Sequence, residues 1–136
     1  MSPHGYHELD HPADLALRVW GEDFFVLLRQ SALGMYHLMG IKAEENYIQE
    51  RQSFLISKET PETILVDFLN ELLYLVEDLG LVLGKFSFTE EDESIIIEAS
   101  GRKIELIERN IKAVTFNDLD IREIKSRVET IITFDV

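Results

Sequence analysis

The sequence contains no cysteine among its 136 residues. A disulfide framework, a thiolate nucleophile and a zinc–thiolate cluster are therefore excluded. Proline is scarce, with three residues, and tryptophan occurs once. Because no proline-rich, glycine-rich or low-complexity segment divides the chain, we predict that residues 1–136 form a single domain.

Positive charge is also scarce. Lysine and arginine number 13 against 26 aspartates and glutamates, which gives a formal net charge of −13. A chain of this charge is repelled by phosphate backbones and by anionic membrane surfaces. We therefore expect no direct, stable nucleic-acid binding and no membrane association, and we expect a basic protein partner or a hard cation instead.

Long hydrophobic runs are missing too. No apolar segment approaches the ~20 residues that span a bilayer, and Met1–Gly5 lacks the basic and apolar parts of a signal peptide. The expected location is the cytoplasm. The hydrophobic fraction of 46% is that of a globular protein, so the chain is expected to bury a core without cross-links.

Two segments have helical periodicity. The first covers about residues 22–39 and ends at Gly40, with a predicted core stripe of Phe24, Leu28, Ala32, Met35 and Met39. The second begins with Thr60 as N-cap and Pro61 in the first turn, and it ends at Gly80. It is apolar except for a narrow polar strip of Asp67, Asn70, Glu71, Tyr74 and Asp78.

Strand patterns precede, separate and follow the helices. Period-2 alternation or apolar runs predict strands near residues 6–10, 15–20, 52–57, 85–88, 94–99, 111–116 and 128–135. The acidic segment Glu90–Glu93 is predicted to be a hairpin turn. These elements indicate an α+β fold in which two helices pack on one face of a largely antiparallel sheet.

Carboxylates are concentrated in one loop and at the chain end. Asp10 and Asp14 flank a short turn, Asp135 is the penultimate residue, and Val136 adds a terminal carboxylate. Such oxygen ligands suit a hard divalent cation: calcium, or magnesium or manganese. The sequence alone leaves open whether loop and chain end meet, so solvated loop charges are the alternative.

Enzyme motifs are absent from the sequence. Gly80 and Gly84 are isolated, no Gly-rich phosphate loop occurs, and there is no Gly-x-Ser-x-Gly. Asp67 and Glu71, one helical turn apart, could serve as a general acid or base, with a solvated helix face as the alternative. We therefore predict no catalytic residues.

Several segments together resemble the archease family. His7–Asp14 is similar to its N-terminal signature, which usually reads Asp-His-Thr-Ala-Asp, and Leu65–Leu75 is similar to its second helix. Ile111–Asn117 resembles its late Ile-Lys-Ala-Val-Thr-Tyr-His strand, and the ending Phe134–Val136 is also shared. These blocks occur in order along essentially the whole chain.

The resemblance implies a strand-helix-strand-strand core and a function in tRNA splicing. Archeases are accessory proteins, not catalysts, of the RtcB-type RNA ligase, whose guanylylation and multiple turnover they promote. The resemblance also implies a metal site, which maps onto Asp14 and Asp135, with the Val136 carboxylate and with Asp10 nearby. Two readings remain as alternatives: a metal-dependent hydrolase using the same carboxylates, and a metal-independent chaperone or adaptor.

Two residues depart from the family pattern. Pro12 replaces the usual threonine and removes a hydroxyl from the loop, and Phe116-Asn117 replaces Tyr-His in the late strand. Any role of that histidine in the family does not carry over to this chain.

Overall fold

The computed structural model of the chain describes residues 2–10, 14–45 and 49–136. Within these residues it contains two helices and nine strands. In chain order they are β1 (Gly5–Leu9), β2 (Leu15–Gly21), α1 (Phe24–Met39), β3 (Lys42–Ala43), β4 (Glu50–Ser57), α2 (Pro61–Leu79), β5 (Leu81–Glu91), β6 (Ser94–Leu106), β7 (Ala113–Thr115), β8 (Arg122–Ile124) and β9 (Arg127–Asp135).

Both helices have the termini that the sequence predicts. The Thr60 hydroxyl accepts a hydrogen bond from the Thr63 N–H at 3.2 Å, and Pro61 is in the first turn of α2. Gly40 and Gly80 close α1 and α2 in left-handed conformations, with φ of 60° and 63°. The start of α1 lies two residues later than predicted, because Asp23 is its N-cap.

The strands form two antiparallel sheets. The first has the order β1-β2-β9-β7, with β8 also paired to β9. In the second, β6 is central: β3 and β4 pair along one of its edges, and β5 pairs along the other. The predicted α+β class, the two helices and the antiparallel pairing are confirmed. The structure has two sheets where the sequence predicted one.

Helix α2 lies between the two sheets and joins them. It packs against β5 and β4 of the second sheet and against β7 of the first. Its apolar face is fully buried at Leu65, Phe68, Leu69 and Leu72. The predicted stripe of α1 is also in the core, where its residues are buried except for the half-buried Phe24.

A close contact positions α1 against the first sheet. A Cβ built on Gly34 would lie 2.4 Å from Cδ2 of Leu17 and 3.0 Å from the Tyr6 ring, so only glycine allows this approach. The described helices include none long and apolar enough to cross a membrane.

Candidate functional site

The end of the first sheet brings two of the predicted carboxylates together. β2 and β9 pair with Leu15 opposite Phe134, so Asp14 and Asp135 are the next residues outward in the same register. Strand alternation puts the Asp135 side chain on the face opposite the buried Phe134, and Asp14 directly precedes β2. Asp14 is half-buried and Asp135 is exposed.

β9 is held at this end from both sides. Ala113 of β7 pairs with Asp135, and the Lys112 N–H donates a hydrogen bond to the Asp135 carbonyl at 2.8 Å. Val136 follows with 44% of its surface exposed. The backbone that carries the Asp135 carboxylate is therefore fixed by two ladders, although the carboxylate itself is open to solvent.

Asp10 occupies a different position. It follows β1, where Tyr6 and Glu8 pair with the core-facing Val19 and Leu17. Asp10 is exposed and follows Leu9, the last paired residue of β1. The next loop residues, His11, Pro12 and Ala13, lie outside the described residues.

The donor set fits a hard cation in part. Within residues 2–10, 14–45 and 49–136, no three His, Asp or Glu side chains are grouped closely enough to hold a metal ion. Asp14 and Asp135 would need a third anionic ligand, for which the terminal carboxylate of Val136 is the nearest candidate in sequence. All of these donors are oxygens, which calcium, magnesium and manganese prefer.

The polar strip is on α2, which packs against β7, the neighbour of β9 in the first sheet. Asp67 is exposed, while Asn70 and Glu71 are half-buried, so the partial exposure expected for a solvated face is observed. With Tyr74, these residues line a cavity of about 490 Å³ between α2 and β4.

Asn70 has a structural contact that the sequence does not reveal. Its Oδ1 accepts a hydrogen bond from the Val114 N–H at 3.0 Å, and Val114 pairs with Phe134 of β9. Glu62 acts similarly, with Oε2 accepting the Ile121 N–H at 2.9 Å. These contacts join residues 44 and 59 positions apart, so no local signal could have predicted them.

The outer end of the strip is anionic. Tyr74 is 55% exposed. A hydrogen bond to Asp78 and the charge of that carboxylate raise the pKa of the Tyr74 phenol, and Glu71 adds to this effect. The phenol stays neutral beside the acidic residues in any physiological buffer, so negative charge on this surface comes from the carboxylates alone.

Substitutions on the strip separate solvated residues from structural ones. We expect Glu71→Lys to change the free energy of unfolding by less than about 0.5 kcal/mol, because Glu71 is not fully buried. Asn70→Leu leaves the Val114 N–H without its acceptor and costs about 1–2 kcal/mol. Urea denaturation followed by circular dichroism measures both; unfolding of Glu71→Lys would show that the strip is structural throughout.

Comparison with known proteins decides the family. A profile of the Archease protein family (MTH1598/TM1083) matches residues 6–136. The chain belongs to the archease family. The archease of Methanosarcina barkeri is 36% identical over 132 residues, covering 89% of this chain and 90% of that protein. The archease of Methanosarcina mazei is 35% identical over 127 residues, covering 87% and 86%.

The fold agrees with an archease structure. A crystal structure from Thermotoga maritima, reported as an archease and possible chaperone, superposes with a TM-score of 0.73 over 94% of both chains. At 22% identity this match shows the fold alone. The family resemblance and the α+β fold predicted from the sequence are thereby confirmed.

The second departure from the family pattern is at the surface. Phe116, in the place of the usual tyrosine, follows β7 and is 54% exposed. Asn117 stands in the place of the usual histidine. Its backbone N–H donates a hydrogen bond to the Thr115 hydroxyl at 3.3 Å. These residues lie at the far end of β7 from Lys112, which contacts the Asp135 carbonyl.

Proposed function

We propose that this archease-family chain is a non-catalytic activator of an RtcB-type RNA ligase in tRNA splicing. It promotes guanylylation of the ligase and thereby multiple turnover. The observation that carries the proposal is the match of residues 6–136 to the archease family. The exposed, acidic end of the first sheet supports it, because Asp14 and Asp135 come side by side there on neighbouring strands.

Charge favours a ligase as the partner over its RNA. A net charge of −13 repels RNA but attracts the basic surface of an enzyme that binds RNA. Association is therefore expected to weaken as salt increases.

A divalent cation is part of the proposal. Asp14, Asp135 and the Val136 carboxylate would hold calcium, magnesium or manganese, with Asp10 contributing from the loop. A bound cation would neutralise charge on a nucleoside triphosphate in the partner's active site. The residues of this chain hold the ligands in place, since the β2–β9 and β7–β9 ladders fix their backbone.

A chaperone-like adaptor is the second candidate, because the structurally similar Thermotoga protein is reported as a possible chaperone. The adaptor requires no metal and tolerates neutralisation of Asp14 and Asp135. A metal-dependent hydrolase, the further alternative, predicts phosphatase or nuclease activity of the chain alone with manganese or magnesium. The activator predicts none.

The deciding experiment follows the ligase–GMP adduct. A purified RtcB-type ligase is mixed with GTP and divalent metal, with and without a substoichiometric amount of this chain. We expect adduct formation and RNA ligation to accelerate by at least about tenfold. Equal rates, under conditions in which the ligase alone is slow, would contradict the proposal.

A further inference from the structure

A second, larger cavity of about 800 Å³ lies on the second sheet. Its floor is formed by β5 and β6, where Val82 pairs with Arg102 and Gly84 with Ser100. These residues alternate with buried neighbours that face α2, so the cavity is on the opposite face of the sheet. Sites for small molecules have volumes of about 300–1,000 Å³.

Gly84 leaves the floor of this cavity open. A Cβ built on Gly84 would meet no atom within 4 Å, and its backbone is not left-handed. Gly84 stands where the register of β5 against β6 shifts in a β-bulge between Gly84 and Ser87, and no close packing requires a glycine there, in contrast to Gly34. A glycine inside a strand marks either a bulge or the close approach of another group, and beside this bulge the space over Gly84 is open to a ligand.

A lysine lies among the residues that line the cavity. Among the described residues that line the cavity, Lys85 and Arg102 are cationic and Glu108 is the single carboxylate. Lys85 has a φ of 55°, a left-handed conformation that residues other than glycine adopt rarely. It forms no ion pair with any residue the structure describes. Lys85 lies in the β-bulge between Gly84 and Ser87, which accounts for its left-handed backbone, and it brings a charge to the cavity rim.

The walls combine apolar groups with a buried hydroxyl. The rings of Tyr6 and His37 lie 5.8 Å apart, and Leu33 of α1 adds an exposed aliphatic side chain. Tyr36 is only 7% exposed, and its oxygen accepts the Leu83 N–H at 3.2 Å. Burial raises the pKa of the Tyr36 phenol, so its O–H proton is retained for donation to another acceptor.

We propose that this cavity binds a small organic anion. The apolar or aromatic body of the ligand rests on the Gly84 floor against the Tyr6–His37 wall. Its anionic oxygens lie near Lys85 and accept a hydrogen bond from the Tyr36 hydroxyl. The site is independent of the carboxylates at the end of the first sheet.

A pair of fluorescent probes tests the site in the full chain. Anilinonaphthalene sulfonate carries an aromatic body and an anionic group, and phenylnaphthylamine has the same body without the charge. We expect the sulfonate to bind one to one, and at least about tenfold more tightly than the neutral probe. Equal affinities, or no saturable binding of the sulfonate, would overturn the proposal.

Variants locate the bound probe. A Cβ at Gly84 meets no atom within 4 Å, so Gly84→Ala and then Gly84→Leu should fill the floor in steps. We expect probe binding to fall progressively, by at least about tenfold for leucine, at an unchanged melting temperature. Lys85→Glu should weaken binding about fivefold. Lys125→Glu is the matched control, since Lys125 also has left-handed φ, at 57°, but does not line the cavity. If Gly84→Leu, folded as the wild type, binds the sulfonate equally well, or both lysine variants lose equal affinity, the site is refuted.

Discussion

Asp135→Asn should abolish most of the stimulation of an RtcB-type ligase, lowering the rate of adduct formation by at least about tenfold. The amide keeps the shape of the side chain but removes a charged ligand from the end of β9. The backbone position is unaffected, because β2 and β7 pair with β9 on both sides. The measurement is the rate of ligase–GMP formation with each variant at equal concentration.

The same variant reports on the metal. If the concentration of the free ion is 100 times its dissociation constant, binding adds about 2.7 kcal/mol to the free energy of unfolding of the wild type. Asp135→Asn and a form extended beyond Val136 should be stabilised less by the ion. The measurement is the melting temperature of each form with and without calcium, magnesium or manganese. Asp92→Asn is the control, because it makes the same change in an exposed turn of the other sheet. Full activation by Asp135→Asn would instead favour the metal-independent adaptor.

Phe68→Ala should destabilise the fold by about 3–5 kcal/mol. Phe68 is fully buried, and its ring lies 5.5 Å from that of Phe86, 5.7 Å from Phe88 and 6.4 Å from Phe54. The truncation leaves a cavity where α2 meets the second sheet. Since domains of this size are stable by only about 5–15 kcal/mol, a large part of the stability would be lost.

Phe116→Ala is the matched control for this core substitution. Phe116 is 54% exposed, so the same truncation should change the free energy of unfolding by less than about 1 kcal/mol. Urea denaturation of both variants gives the comparison. Similar losses for Phe68→Ala and Phe116→Ala would mean that the aromatic cluster does not form the centre of the core.

Local signals were sufficient to predict the helices. Thr60-Pro61 and Gly80 define α2 through hydrogen bonds and backbone angles that involve residues a few positions apart. The sheets depend instead on pairings such as Leu15 with Phe134, at opposite ends of the sequence. Alternation predicts that each segment is a strand but not which other strand it pairs with. For this reason the division into two sheets was not predicted.

The candidate sites were predictable to different degrees. The residue types of Asp14 and Asp135 and the family resemblance predict a metal site, and the register places the two residues at one end of the first sheet. Asp10 is expected beside them; it is exposed and follows the last paired residue of β1, so its part in the site stays a prediction. The cavity over Gly84 was not predicted, because it is formed by segments far apart in the sequence and lies beside a β-bulge of β5.

Two of the helix–sheet hydrogen bonds bear on self-association. The Leu83 N–H of β5 donates its hydrogen bond to the Tyr36 hydroxyl oxygen, and the Val114 N–H of β7 donates its hydrogen bond to Asn70 Oδ1. A free N–H at the rim of a sheet is a template on which a strand of another molecule can add. With these two donors occupied and with mutual repulsion from a net charge of −13, the rims at β5 and β7 are poor starting points for strand-by-strand aggregation.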